Sequence, residues 1–373
     1  MEREVILQSG KDAIYLIRQY FHHAPVDEEV FSSIQLNNLY RFSRMHKISA
    51  LLAASMSAFA LDAKWSESYN GALYRSVLFE NEREKIRDFF HENNIWYILL
   101  KGCVLDHYYP EYGIREFSDN DILFDERYRS ELRDFMLSQG FENKHFGTGH
   151  DDAYYKKPVY NFEMHVMLFD SSSDSDVYEY FQDSQVKAFQ DLDSSECIFS
   201  KEDFYIYFIA HAFKHFDRSG TGLRTLVDEY AYLSQEELEW DYVEEELEKI
   251  GYLTKERTLR SLVFKIFDTE EELSTEEEEM LEYVLLAGVY GNIKNRVEHG
   301  LEKMEGGSTF KNKIKYLWGR VFLKMGSIQA SYPLFYRHKL LLPLLPFYRV
   351  YKALTSARRR AIREIKAVIQ TKK

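Results

Sequence analysis

Gly113-Ile-Arg-Glu-Phe-Ser-Asp-Asn-Asp-Ile-Leu-Phe124 runs from polar to apolar along its length, and its reading decides the fold. The apolar end predicts a strand within residues 115–124 that carries Asp119 and Asp121 two positions apart. Side chains at i and i+2 of a strand point to the same side, so the two carboxylates stand together. Burying them unpaired costs free energy, and each disfavours ionisation of the other. A divalent cation relieves both penalties. Magnesium prefers such hard oxygen ligands and keeps positions open for phosphate oxygens. Asp-x-Asp alone is a common pattern that also suits a plain polar strand end, so the flanking sequence has to decide.

Upstream, Ile-Trp-Tyr-Ile-Leu-Leu (95–100) is a short apolar run that stops at Lys101-Gly102. It predicts a buried strand that enters a helix over 103–109 through a tight turn, with Pro110 closing the helix. Downstream, Leu132, Phe135 and Met136 recur at helical spacing within 126–139, and Gly140 marks the stop. Residues 153–157 and 159–169 predict antiparallel strands. On the second, alternation sets Phe162, Met164, Val166 and Leu168 on one face, with Glu163 and His165 on the other. Glu163 thereby supplies a third carboxylate on a neighbouring strand, as a clamp of two metals ~3.5–4 Å apart requires.

Around this core the pattern is helical. Residues 28–58 and 65–94 carry apolar positions three and four apart. The 14-residue apolar run 48–61 is too short to span a bilayer and predicts a buried helix. Residues 170–176 predict a loop. From 201 to about 302 helices return, and 201–216 and 223–233 are separated by Asp217-Arg-Ser-Gly-Thr-Gly222. The Glu-rich runs 236–248 and 270–282 predict solvated helix faces. Gly306-Gly-Ser308 marks a boundary. The predicted architecture is α+β: a helical region at 1–94, a small mixed-sheet core at 95–200, a helical domain at 201–307 and a basic extension at 308–373.

With 45% hydrophobic and 16% aromatic residues, the 373-residue chain has the composition of a packed globular protein, not a disordered one. Its two cysteines, Cys103 and Cys197, exclude a disulfide framework and a four-thiolate zinc site. The opening Met-Glu-Arg-Glu-Val is charged and leads into no apolar signal segment, which predicts a cytoplasmic protein. Charge is divided unevenly. Residues 308–373 hold 16 basic side chains and one acid, Glu364, for +15, whereas the rest hold 32 basic and 60 acidic, for −28.

The order of these blocks resembles that of polymerase-beta-like nucleotidyltransferases: a glycine turn after the first strand, Asp-x-Asp on the next, and a lone acid on a later one. Leu-Leu-Lys101-Gly102, Arg115 through the Asp119-Asn120-Asp121-Ile-Leu run, and Glu163-Met-His165 resemble one branch, the uncharacterised bacterial nucleotidyltransferase family. His211-Ala-Phe-Lys-His215, Leu223-Arg224 and Asp228 extend the resemblance to roughly 95–235. Two positions depart from it: Cys103 replaces the usual Ser or Gly, and Asn120 a usual apolar residue.

The resemblance implies that Asp119, Asp121 and Glu163 hold two Mg2+ ions against a nucleoside triphosphate, with Glu163 acting as ligand or base. Lys101, Gly102, Arg115, Ser118, His165, Arg224 and Asp228 are the implied nucleotide-binding residues. Lys101 and Arg115 would neutralise charge on the leaving pyrophosphate, and the Gly102 turn would let backbone N–H groups approach phosphate.

Other patterns carry less. Arg224 and Asp228 are spaced for an intrahelical ion pair. His211, His215 and His165 contain the elements of a zinc site but no His-Glu-x-x-His. No Walker or protein-kinase motif occurs. The basic extension has three readings: docking on the acidic body through burial of 340–348, attachment to an anionic inner-membrane surface, or binding of nucleic acid. The expected activity is nucleotidyl transfer to an acceptor hydroxyl on a sugar or small molecule, a protein or RNA. The alternative is a non-catalytic nucleotide-binding or membrane-associated accessory protein that keeps the fold; its weakness is that a binding module needs no three carboxylates.

Overall fold

The structure is a computed structural model that describes residues 1–143, 146–147, 149–170, 175–182, 188–190, 195–289, 297, 301, 309–323, 325, 328, 332–355 and 358–371. Five strands form a mixed sheet: β1 (Tyr97–Leu99), β2 (Asn120–Phe124), β3 (Glu142–Asn143), β4 (Asp151–Lys156) and β5 (Tyr160–His165). Their order is β1-β2-β5-β4-β3. β2 and β5 run parallel at the centre, and the other pairs are antiparallel. The fold is α+β, as the sequence predicts.

Helices precede the sheet: α1 (Arg3–Phe21), α2 (Glu28–Ser33), α3 (Leu36–His46), α4 (Ser49–Ser55) and α5 (Ala63–Glu92). All seven residues of α4 are buried, which accounts for the apolar run at 48–61. Within and after the sheet come α6 (Gly102–Leu105), α7 (Arg129–Ser138), α8 (Ser175–Tyr180), β6 (Ala188–Gln190), β7 (Cys197–Phe199), α9 (Lys201–Ser219), α10 (Leu223–Leu233), α11 (Trp240–Lys249), α12 (Leu253–Phe264) and α13 (Thr275–Ala287).

Period-two alternation divides the sheet into two faces. Ile122, Phe124, Phe162, Met164 and Tyr154 pack with Phe79, Ile86 and Phe90 of α5 and Leu132 and Met136 of α7 in one core. Leu123, Ile98 and Leu100 point the other way, into a second core. There, Ile14, Leu39 and Leu51 from the first helices meet Tyr205, Leu226, Val263 and Leu285 from the later ones.

Several boundaries differ from expectation. β2 begins at Asn120, not at 115. The preceding residues are recruited by helices instead: Glu116 Oε1 accepts from the amides of Ser49, at 2.6 Å, and Ala50, capping α4. β5 ends at His165 because Leu168 and Phe169 leave the sheet for the helical core. The helix expected over 103–109 is only α6 and a 3-10 turn over Asp106–Tyr108. Tyr109 is extended, and its hydroxyl donates to Asp228 at 2.7 Å. β3, β6 and β7 were not anticipated.

The extension forms α14 (Thr309–Val321), α15 (Pro333–Arg337), a 3-10 turn over Lys339–Leu344, α16 (Leu345–Leu354) and α17 (Arg358–Gln370). Tyr316, Ala367 and Val368 join Val297 and Leu301 in a small core separate from the other two. Docking by burial of 340–348 is not what the structure shows: Leu340 is 95% and Phe347 74% exposed, and only Leu345 of that run is buried. The predicted boundary at 306–308, most of 290–302 and the loop residues 171–174 lie outside the described residues.

Candidate functional site

Parallel pairing sets Asp121 directly beside Glu163, and Leu123 beside His165. Asp121 and Glu163 point away from the α5 core into a cleft of about 600 Å³ between the sheet and α9–α10. All ten candidate site residues line this cleft: the three carboxylates with Lys101, Gly102, Arg115, Ser118 and His165 from the sheet side, and Arg224 and Asp228 from α10. A slightly larger hollow, about 700 Å³, lies among α10–α12 around Trp240 and Arg260 and contains none of them.

Ligand atoms of Asp121, Glu163 and His165 lie within 4.8 Å of one another. Asp119, one residue before β2, stands beside this set and not in it. Asp121 is buried and takes two hydrogen bonds on Oδ1, from Lys101 Nζ at 2.7 Å and with His165 Nε2 at 2.8 Å. Burial alone would raise its pKa, but the Lys101 charge and the His165 hydrogen bond hold it well below the usual carboxylate range. Glu163 behaves oppositely. Burial, then the charges of Asp121 and Asp119, push it up to about 8. Burial and Asp121 also raise Asp119. His165 is lowered, because burial outweighs its bond to Asp121.

Negative charge therefore exceeds its compensation. Neither Asp119 nor Glu163 takes a hydrogen bond or ion pair among the described residues, and the buried His165 Nδ1 and Ser118 Oγ lack partners. Three clustered carboxylates whose one Lys or Arg ion-pair partner among the described residues is Lys101 fit a hard divalent cation, whose charge would relieve the repulsion. His211 and His215 also reach the cleft, but their Nε2 atoms face each other at 3.1 Å and neither joins the set of Asp121, Glu163 and His165.

Lys101 holds its place at a backbone cost. Its φ of 45° and ψ of −113° fall in a sparsely populated region for a residue with a side chain. Gly102 follows for a steric reason: a Cβ there would sit 2.5 Å from Arg115 Nη1. The helix behind it has only four residues, and the glycine admits Arg115 close to the turn. That arginine is itself committed. Arg115 Nε and Nη2 donate to the two oxygens of Asp228 at 2.7 and 2.8 Å, with both side chains buried. Asp228 thus pairs with the sheet-side Arg115 and not with Arg224, whose Nη1 donates to the Glu116 carbonyl oxygen at 2.7 Å. The Gly220-Thr-Gly222 loop serves packing, since a Cβ at Gly222 would lie 2.6 Å from the Val289 amide.

Sequence reasoning missed His150, Asp151, Tyr207, Lys214, Thr221 and Thr225, which also line the cleft. Asp151 is the cross-strand partner of His165, a relation visible only once β4 is in register with β5.

The two unusual residues share one neighbour on the opposite face. Arg83 of α5 donates from Nη1 to Asn120 Oδ1 at 2.7 Å and to Cys103 Sγ at 3.2 Å, and it pairs with Glu80. Neither departure touches the carboxylate side. No helix among the described residues is long and apolar enough to cross a membrane. No curated protein and no solved structure matches the chain. The family described as an uncharacterised nucleotidyltransferase matches residues 32–268, a span that includes all five sheet strands and both walls of the cleft. With its acidic strand pair inside that match, the chain belongs to this nucleotidyltransferase family.

Proposed function

We propose that the protein is a cytoplasmic enzyme that moves a nucleoside monophosphate from a nucleoside triphosphate to an acceptor hydroxyl. The observation that carries this reading is the register of Asp121 against Glu163 on the open face of the sheet, with more carboxylates than cations around them. The acceptor oxygen forms a bond to the α-phosphorus, the bond from that phosphorus to the bridging oxygen breaks, and pyrophosphate leaves. Asp119, Asp121 and Glu163 would hold two Mg2+ ions, whose charge would offset that of the triphosphate and of the leaving group.

The protein's own groups do the rest. Glu163 activates the attacking hydroxyl, as a metal ligand or as the base that takes its proton. Lys101, fixed by Asp121, and Arg224, on the facing wall, meet the phosphates. Ser118 and His165 supply unpaired polar atoms for the nucleotide. Arg115 and Asp228 act as a positioning pair that locks the helical wall to the sheet. The acceptor is a sugar or other small molecule, a protein hydroxyl or RNA.

The test is incubation of the protein, Mg2+ and cell extract with each triphosphate labelled at the α- or the γ-phosphate. Label from the α position should pass to an acceptor, depend on Mg2+ and disappear in Glu163→Gln. Transfer of γ-label alone would make the protein a kinase and overturn the reading.

A further inference from the structure

The extension presents an apolar surface that the rest of the chain leaves uncovered. On α14, Ile314 and Trp318, continued by Phe322, recur every fourth residue and are 44–62% exposed. On α16, Phe347, Val350, Tyr351 and Leu354 follow three- and four-residue spacing at 43–74% exposed. On α17, Ile362, Ile365 and Ile369 do the same at 44–69%. Residues at these spacings share one side of a helix. Each helix therefore has an inner side, supplying Tyr316, Leu345, Ala367 or Val368, and an outer apolar stripe.

Charge selects what covers such stripes. Lys311, Lys315, Arg337, Lys339, Lys352 and Lys366 are exposed around them. The segment's one acid, Glu364, is already engaged by Arg320 and Tyr316. A second copy would bring +15 against +15 if the same faces met. A nucleic acid would satisfy the cations and leave the leucines, isoleucines and Phe347 in water. An anionic bilayer surface meets both demands: its headgroups attract Lys and Arg, and its acyl boundary takes the apolar side of helices lying in the plane. No described helix can span the bilayer, so the contact is interfacial.

We propose that the helices described within 309–371 form an interfacial membrane-binding module that holds the protein on anionic lipid. The stripes on α16 and α17 enter the acyl boundary, and Lys339, Lys352, Arg358, Arg363 and Lys366 meet the headgroups.

The test is co-sedimentation of the full chain with vesicles of phosphatidylcholine alone or mixed equally with phosphatidylglycerol. Two variants are compared with wild type: the apolar set Phe347→Ser, Tyr351→Ser and Leu354→Ser, and the charge set Arg358→Glu, Arg363→Glu and Lys366→Glu. Wild type should bind anionic vesicles at least ~10-fold more tightly than neutral ones and release at high salt. Each variant should lose at least ~10-fold of that binding while keeping wild-type circular dichroism. Equal partitioning into both vesicle types, no binding to either, or undiminished binding by both variants would overturn the proposal. So would sedimentation without vesicles that the apolar set removes, which would assign the stripes to a second copy. Binding of RNA that persists in the apolar set, with no lipid binding by wild type, would assign the cations to nucleic acid.

Discussion

The two faces of the central sheet handle charge in opposite ways. On the α5 side the buried charged groups Arg83, Glu82 and Asp152 are matched: Arg83 has Asn120 and Glu80, Glu82 has Lys156 at 2.5 Å, and Asp152 has Arg129 at 2.6 Å. On the cleft side three carboxylates share one lysine, and two of them take no partner. Matched polar groups stabilise a fold, and breaking them leaves a buried charge uncompensated. Unmatched ones cost stability and persist where a ligand completes them. The contrast separates residues whose loss should harm folding from residues whose loss should harm chemistry.

The strongest way to break that comparison is Glu163→Gln. It keeps the shape and removes an unpartnered acid. Transfer of α-label should fall at least ~10³-fold, because several kcal/mol of charge organisation is lost. The thermal midpoint should stay level or rise, and a lowered midpoint with retained transfer would reverse the assignment. Repulsion alone predicts that Asp121→Asn is equally harmless to folding. The structure revises this, since Asp121 also balances the partly buried Lys101, so some loss of stability should accompany the loss of transfer.

Next comes Asp228→Ala. It strands Arg115 and the Tyr109 hydroxyl together, both buried, and should cost about 3 kcal/mol in denaturant unfolding. An unchanged midpoint would show that the pair is not what joins sheet to helices. Arg83→Met tests the α5 face. It should cost about 2 kcal/mol by leaving Asn120 Oδ1 without its strongest donor, while KM for the triphosphate stays unchanged in the folded fraction. A raised KM would mean that the two faces are not independent.

The smallest effect sharpens the comparison through two histidines. His165 leaves Nδ1 unused, whereas His46 uses both nitrogens: Nδ1 accepts from the Leu223 amide at 2.9 Å and Nε2 donates to the Leu285 carbonyl at 3.1 Å. Burial pulls the His46 pKa down to about 3, against the Leu285 bond. Its folded value lies below its unfolded one, so its contribution to stability is complete above about pH 6.5 and is lost as pH falls towards 3. His46→Gln should therefore reduce the loss of stability between pH 7 and pH 5 by about 1.5 kcal/mol, read from denaturant midpoints at each pH. An unaltered pH slope would show that His46 is not what acid attacks.

What the sequence revealed follows from the range of each pattern. Alternation is local, so the 95–100, 119–124 and 160–165 segments disclosed three strands and the face shared by Glu163 and His165. The limits of α10 were legible for the same reason, from Gly222 to the last apolar residue, Leu233. Partners distant in the chain left no local trace. Arg115 finds Asp228 across 113 positions, and Leu223 finds His46 across 177, so neither bond has a spacing to betray it. Cys103 and Asn120 stand out in the sequence only as departures from the family pattern; their common partner, Arg83, lies 20 and 37 residues away on α5. β3, β6 and β7 have only two or three residues each, too few for a period to show.

The parallel register of β2 and β5 has a consequence for how this chain can change its length. Deleting one residue within 160–162 would rotate every later side chain of the strand by half a period, driving Glu163 among phenylalanines and delivering Met164 to the cleft. The hairpin between β3 and β4 has no such duty, because β4 meets β5 through backbone bonds that tolerate a longer approach. Insertions should therefore be tolerated between 143 and 149 and be harmful within 119–124 and 160–165. Along those two stretches the number of residues matters to the site as much as the identity of its acids.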